Sequence, residues 1–536
     1  MSHDLKAVRR RALLAAAALA AVQPWRNALA HGDDAPHSHA VTRADAGVLT
    51  VVGPWEMTGL DPSRSGYMFA RMEVVETLLE VDDSGHLRAG LATTWRVSDD
   101  GLQWRIALRS GRRYHDGSTL TPASVLACLQ RAAQRPGVLQ LAAIAAMQLE
   151  GSDLVITLRQ PFGPFPYLLT HYTTQILAPA SFDARGNVQA IIGSGPYRIR
   201  SLSLPQQFDV ERVALIESGQ GRPIQRARYI SVSRAETRTL LVQSGQADLA
   251  FSLDPPSIRA LQDHPRAALL STMLPRTTIL KLNAGHPFLA DVRVRRAIAL
   301  CIEREGIARA LLRDPDLGAT QLFPPALARW HDASLPPLQT DLKQARRLLE
   351  EAGWRLGADG VRWREGQRLA LNLTTFVDRP ELPLIATALQ EEMRQIGIAV
   401  RVVIGNSSDI PAGHRSGLLQ MALAARNYGN LPEPVASLLQ DFGPEGGDWG
   451  AMGWRNAEVP ALLAQLAAAP AVPADRDRDR DRDRSLRQRI TAVLQEQLPV
   501  IPVVWYRQTC AVSRRLRGAS IDPFERSYRI SSLQWT

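Results

Sequence analysis

The chain has 536 residues, 45% apolar and 22% charged, a composition that excludes disorder over most of its length. Single hydrophobic cores stop growing near about 250–300 residues, so two lobes or three subdomains are expected. The formal charge is +10, carried almost wholly by arginine, but no dense basic stripe with interleaved aromatics occurs, which argues against a nucleic-acid binder.

Residues 1–30 read as a signal peptide. Val8-Arg9-Arg10-Arg11 is a charged start, Ala12 to Val22 is an apolar run too short to span a bilayer, and Ala28-Leu29-Ala30 is a small-residue cleavage site. Arg10-Arg11-Ala12-Leu13-Leu14 is similar to a twin-arginine export signal, and a general secretory signal is the alternative. No cysteine lies near the cut and no later stretch approaches 18 apolar residues, so the expected location is the periplasm, exported and soluble. Residues 31–47 form a His/Asp leader. His31, His37 and His39 are candidate metal ligands, although their spacing matches no closed site and a polar leader is the simpler reading.

Val48 to Val52 is a β-branched strand, Pro54 to Gly66 a loop, and Tyr67 to Glu80 carries apolar residues at helical spacing. Trp104–Leu108 and Leu154–Leu158 alternate as strands. Between them Thr121 and Pro122 open a helix, threonine as cap and proline at the first helical position. Gly193-Ser194-Gly195-Pro196-Tyr197 reads as a tight turn whose glycines permit positive φ, with a strand after it. Asp341 to Trp354 is an amphipathic helix stopped by Gly353. Leu369–Thr374, Leu382–Ile396 and Val400–Ile404 then alternate strand, helix, strand. Asp475 to Arg484 is five Asp-Arg dipeptides, read as a solvated surface insertion. Cys128, Cys301 and Cys510 have no metal-type spacing and no even count, and read as buried thiols. The mixture of strands and helices predicts an α/β architecture.

Catalysis finds little support. G-x-S-x-G, H-E-x-x-H and P-loop patterns are missing, and His115 in Tyr114-His115-Asp116-Gly117 is a turn residue before a capped helix. A secreted hydrolase is therefore a remote alternative, and no cofactor is expected.

Four ordered segments together resemble the family 5 extracellular solute-binding proteins, which serve peptide and nickel ABC importers. They are Leu91-Ala92-Thr93-Thr94-Trp95 through His115-Asp116-Gly117; Gly193 to Tyr197; Leu282-Asn283-Ala284 with Val292 to Ala297; and Ala345 to Leu349 with Ala352-Gly353-Trp354. The resemblance runs from about residue 48 to 536. It implies a two-lobed periplasmic binding protein fold (type II, large) with ligand between lobes that close on a hinge. Lobe one would take 48–275 plus 500–536, with a subdomain at about 76–190, and lobe two 276–499. It further implies a monomer that captures a small ligand and delivers it to ABC permease subunits at the inner membrane, and no enzyme.

Within the family, the look is closest to the nickel-binding branch. Trp55-Glu56-Met57 and Tyr67-Met68-Phe69-Ala70 resemble its N-terminal loop, and Arg426-Asn427-Tyr428-Gly429 resembles its second-lobe motif. The resemblance implies that Arg426 and Arg135 grip carboxylates of a chelate, with Tyr428, Trp55 and Tyr67 as walls. A guanidinium fork suits that chemistry. Asn430 stands where dipeptide binders place an aspartate, and no histidine that could ligate metal follows Glu433. These departures favour a metal chelate or another carboxylate-rich ligand, with short oligopeptides as the alternative.

Overall fold

The computed structural model describes residues 47–213, 222–377, 379–469 and 477–536. The expected signal peptide and the leader with His31, His37 and His39 lie outside these residues. Among the described residues, no helix is long and apolar enough to cross a membrane.

The frame is a mixed ten-stranded sheet. From one edge it runs Ala399–Gly405, Ala370–Phe376, Met421–Asn427, Ala267–Leu282, Val500–Ser513, Leu249–Phe251, Val48–Gly53, Arg226–Ser231, Gln207–Arg212 and Tyr197–Ser203. The two longest strands, Ala267–Leu282 and Val500–Ser513, lie side by side and antiparallel in its middle. Their register slips between Leu274 and Thr277, beside Pro275, which has no N–H for the ladder.

Separate apolar cores form on either side of these strands. On one side Leu49, Phe69, Phe208 and Tyr229 pack together. On the other, helices Val292–Cys301, Leu342–Glu351 and Glu381–Gln395 bury Ile298, Leu349 and Leu389 against strand residues such as Leu373 and Leu423. A third cluster centres on a four-stranded antiparallel sheet (Ala92–Val97, Gln103–Leu108, Asp153–Leu158, Ile144–Glu150). It includes Phe442 and Leu463 from helices Val435–Phe442 and Glu458–Ala468.

The expected strands and helices form close to their expected limits, and Thr121 and Ser124 make a reciprocal capping box on Pro122–Ala133. Asp341 caps Leu342–Glu351, and Gly353 beyond it takes φ +86°. The three cysteines are free and buried.

Two local expectations need correction. The helix expected over Tyr67–Glu80 spans Pro62–Arg71 instead. Asp61 caps it by accepting from the Ser63 amide, Pro62 occupies its first turn, and Glu73 at φ +56° ends it. The Gly193–Tyr197 turn does not use positive φ. Its glycines let it approach the backbone of residues 73–74: a Cβ on Gly193 would lie 2.1 Å from the Val74 carbonyl oxygen, and one on Gly195 2.2 Å from that of Glu73. From residue 477 the Asp-Arg run is the opening of helix Asp477–Gln497, and its residues 481, 482 and 484 are exposed. Within it Asp483, four residues before Arg487, accepts from that guanidinium and from Arg329.

Candidate functional site

A cleft of about 2050 Å³ opens along the central strands. Its walls come from segments 54–81, 170–172, 233–276, 310–317, 376–384, 427–432, 505–509 and 522–531, so both halves of the sheet and the C-terminal segment contribute. Nine arginines and nine carboxylates line it, together with one histidine and no cysteine. Five residues with the left-handed backbone that side chains rarely adopt (Glu73, Ser252, Arg313, Glu525 and Arg529) also line it. Local strain of this kind clusters where a site needs side chains aimed against the chain's preference.

The cleft is built around Arg71, in the last turn of helix Pro62–Arg71. Its guanidinium carbon lies 4.2 Å from the Trp55 ring centre, 5.2 Å from that of Tyr67 and 5.8 Å from that of Tyr528. Its Nε donates to the Glu525 carbonyl at 2.8 Å, and the guanidinium also faces the Tyr528 hydroxyl. Trp55 is held by its own carbonyl, which accepts from the Tyr229 hydroxyl at 2.8 Å. Tyr172 packs edge-on against Tyr67 at 5.8 Å and lies 4.0 Å from the His171 ring.

Across the cleft, Arg276 on the long strand donates from Nη2 to Glu525 Oε2 at 2.6 Å, and its buried Nε has no partner. Arg276 and Arg379 both lie over the Tyr506 ring, at 4.8 and 5.5 Å. Burial alone would raise the Glu525 carboxyl, but Arg276, Arg71 and Arg379 hold it below its ordinary range. Burial pushes His171 down to about 4, so it is neutral. Glu80, also in the lining, is raised by burial and then by Glu76, and its side chain makes no hydrogen bond or ion pair among the described residues.

Three residues singled out in the sequence, Trp55, Tyr67 and Asn430, line this cleft. The other three do not. Arg426 is turned to Asp441 of helix Val435–Phe442, donating from Nε at 2.7 Å and Nη2 at 3.0 Å. Tyr428 is fully buried against Phe323, with ring centres 5.2 Å apart. Arg135 is exposed and donates to Asn187 Oδ1 at 2.9 Å. Glu433 is buried between Arg329 and Arg487 as a structural residue. Sequence reading passed over Arg71, Arg276, Arg379, His171 and Glu525. Tyr67 and Arg71 stand four apart on one helix, a spacing that could have flagged Arg71. Glu525 meets Arg276 across 249 positions, for which no local signal exists.

A family model for bacterial extracellular solute-binding proteins, family 5 (middle region), matches residues 86–449. The chain belongs to this family. It is 26% identical over 406 residues to the nickel-binding periplasmic protein of Escherichia coli K12, covering 73% of this chain and 77% of that one. It is 25% identical over 370 residues to the glutathione-binding protein GsiB of the same strain, covering 66% and 69%. Among solved structures, NikA from Brucella suis in complex with Fe(III)-EDTA superposes with a TM-score of 0.80 at 21% identity, covering 91% of this chain and 99% of that one. The oligopeptide-binding protein AppA from Bacillus subtilis, in complex with a nonapeptide, gives 0.72 at 18%, covering 91% and 99%. The fold is therefore the two-lobed periplasmic binding protein fold, and the chain is the solute-binding component of an ABC importer. The matched proteins are binding proteins rather than enzymes.

Proposed function

We propose that this protein captures a carboxylate-bearing small molecule, a metal chelate or a short peptide, in the cleft around Arg71 and delivers it to ABC permease subunits. The observation that carries the reading is the convergence of Arg71, Arg276 and Arg379 in one cleft lining, with the buried Arg276 Nε left without a partner. Unpaired buried donors are costly, and a ligand oxyanion is their natural partner. In this reading Arg71, Arg276 and Arg379 grip the ligand, and Trp55, Tyr67 and Asn430 wall it.

A metal would arrive inside its chelate. His171 is the single imidazole in the lining, and no group of three His, Cys, Asp or Glu side chains able to hold a metal ion occurs among the described residues. The relatives named for nickel and Fe(III)-EDTA support the chelate, and those named for glutathione and a nonapeptide support the peptide.

The lobes would be 48–275 with 500–536, and 276–499. The register slip beside Pro275 would serve as their hinge, and ligand would shift the open–closed balance by its differential affinity for the closed form. The protein would act as an exported periplasmic monomer without enzymatic activity.

Thermal unfolding of the exported protein tests this reading. The ligand sets are nickel with L-histidine, glutathione, and a mixed pool of di- and tripeptides. A ligand at 100 times its Kd adds roughly 2.7 kcal/mol. Stabilisation by nickel–histidine alone selects the chelate, and stabilisation by glutathione or peptides selects the peptide. If every set leaves the transition unmoved, the carboxylate-ligand reading is wrong.

A further inference from the structure

The arginine cradle of the cleft is already occupied, by a carboxylate of the chain itself. Arg71, Arg276 and Arg379 come from helix Pro62–Arg71, from the long strand Ala267–Leu282 and from the segment before helix Glu381–Gln395. Glu525 belongs to none of these elements. It comes from the C-terminal segment and lowers its carboxylate between Arg276, at 2.6 Å, and Arg71, at 3.7 Å. Apart from Glu525, the acid paired with this group is Glu381, 3.9 Å from Arg379. Two guanidiniums facing one tyrosine ring repel each other, and the buried cations Arg71 and Arg276, with half-buried Arg379 beside them, need counter-charge. Glu525 supplies it.

The way Glu525 is held sets it apart from an ordinary structural acid. Its backbone sits at φ +56° in a turn fixed by Asp522, which accepts from the amides of Phe524, Arg526 and Ser527. Arg71 is positioned by the Glu525 carbonyl and by its aromatic neighbours, not by the Glu525 carboxylate. The carboxylate can therefore turn away by side-chain rotation while the turn and Arg71 keep their places, leaving Arg276 free to take another acceptor. Its Oε1 is beyond hydrogen-bond distance of Arg71, so one oxygen is already loosely held.

We propose that Glu525 is a built-in stand-in for the ligand's anionic group, a specificity residue that a carboxylate or similar oxyanion must displace from Arg71 and Arg276 to bind. This rests on reading the cleft as the ligand site. The residue acts as a threshold: neutral molecules gain nothing by displacing it, whereas an oxyanion exchanges one charge-assisted pair for another and completes the Arg276 donor that Glu525 leaves free.

The test uses citrate and acetate as probes, against sodium chloride at equal ionic strength, on the full exported protein and its Glu525→Gln variant. In chloride the variant is expected to melt below the parent, because the cations lose their counter-charge. Citrate is expected to raise the variant's Tm saturably, by at least about 2 °C more than it raises the parent's, with acetate acting in the same direction. Adding Arg71→Ala to Glu525→Gln should abolish the extra response. If Glu525→Gln does not fold, Glu525→Asp keeps the charge but shortens its reach, and its citrate response should still exceed the parent's. Equal responses in parent and variant would overturn the proposal, as would a response that survives loss of Arg71. A failed search for the transported ligand leaves this readout intact, so the two readings fail separately.

Discussion

Two arginine–carboxylate assemblies, built from the same chemistry, do opposite things in this molecule. Arg426 and Asp441 form a closed bidentate pair in which the carboxylate is buried and both its oxygens accept, at 2.7 and 3.0 Å. Nearby, Lys281 completes the polar cluster by donating to the Gly447 and Asp448 carbonyls. In the cleft, Arg71 and Arg276 share Glu525, and Arg276 still has a nitrogen to spare. A satisfied pair holds backbone segments together, and an unsatisfied one, in a cavity, has capacity for something else. The presence of arginine in a family-like motif does not distinguish the two cases, because the difference lies in whether a partner from elsewhere in the chain has already closed the fork.

The sharpest way to break this comparison is at Asp441. Asp441→Ala strands Arg426 and the neighbouring Lys281 without their buried counter-charge, and should cost about 3–5 kcal/mol of stability, the usual range for halving a buried pair. Chemical denaturation reads that loss directly. Ligand affinity of the fraction that stays folded should be unchanged, since neither member of the pair lines the cleft. A drop in affinity with little loss of stability would invert the two assignments.

The next effect lies on the cleft side and depends on pH. His171 is 9% exposed, and burial lowers it to about 4. Its folded form stays neutral while the unfolded chain takes up a proton near the ordinary value of about 6.5. The stability it contributes is thus fully present above pH 6.5 and declines as pH falls toward 4, by at most about 3 kcal/mol. His171→Asn should flatten that part of the stability profile relative to the parent, since other titrating groups are common to both proteins. Parallel profiles from pH 6.5 to 4 would mean that His171 titrates normally.

Much of the frame was legible in the sequence, and the site only in part. Thr121–Pro122, Asp341 and Gly353 marked helix ends correctly because caps and stops act through neighbours within a few residues. The order of segments reached the family for a related reason, since each segment is a local pattern. The cleft is assembled differently: residues near 71, 276, 379 and 525 meet only after the sheet has formed, and beyond the four-residue spacing of Tyr67 and Arg71 no local sign announces that meeting. Trp55, Tyr67 and Asn430, which line the cleft, sit in short recognisable stretches. Arg426 sits in one as well, but Asp441, which decides its role, lies 15 residues away on the next helix.

Arg71→Ala sharpens the comparison from the binding side. It removes the stacked guanidinium and its donors, and hydrogen bonds to charged groups are worth about 1.5–3 kcal/mol, so affinity for a carboxylate ligand should fall about 10- to 100-fold. Calorimetric titration with whichever ligand stabilises the parent checks this, and Arg71→Lys should recover only part, because an ammonium cannot reproduce the fork. Undiminished binding in Arg71→Ala would move the site elsewhere in the cleft.

The smallest effect is expected at Arg135, where the two kinds of arginine can be told apart by silence. Its side chain is exposed and its partners, Asn187 Oδ1 and the Gly186 carbonyl, belong to a surface turn that Asp183 already fixes by accepting from the Arg185 and Asn187 amides. Solvent competes for an exposed guanidinium, and the turn keeps its own bonds, so Arg135→Ala should change stability by no more than about 0.5 kcal/mol. Affinity should not change at all, because neither Arg135 nor its partners Gly186 and Asn187 line the cleft. A measurable loss of binding in Arg135→Ala would show that the lobes close further than this arrangement and bring the turn to the ligand. The division between occupied and waiting arginines would then belong to one conformational state and not to the protein.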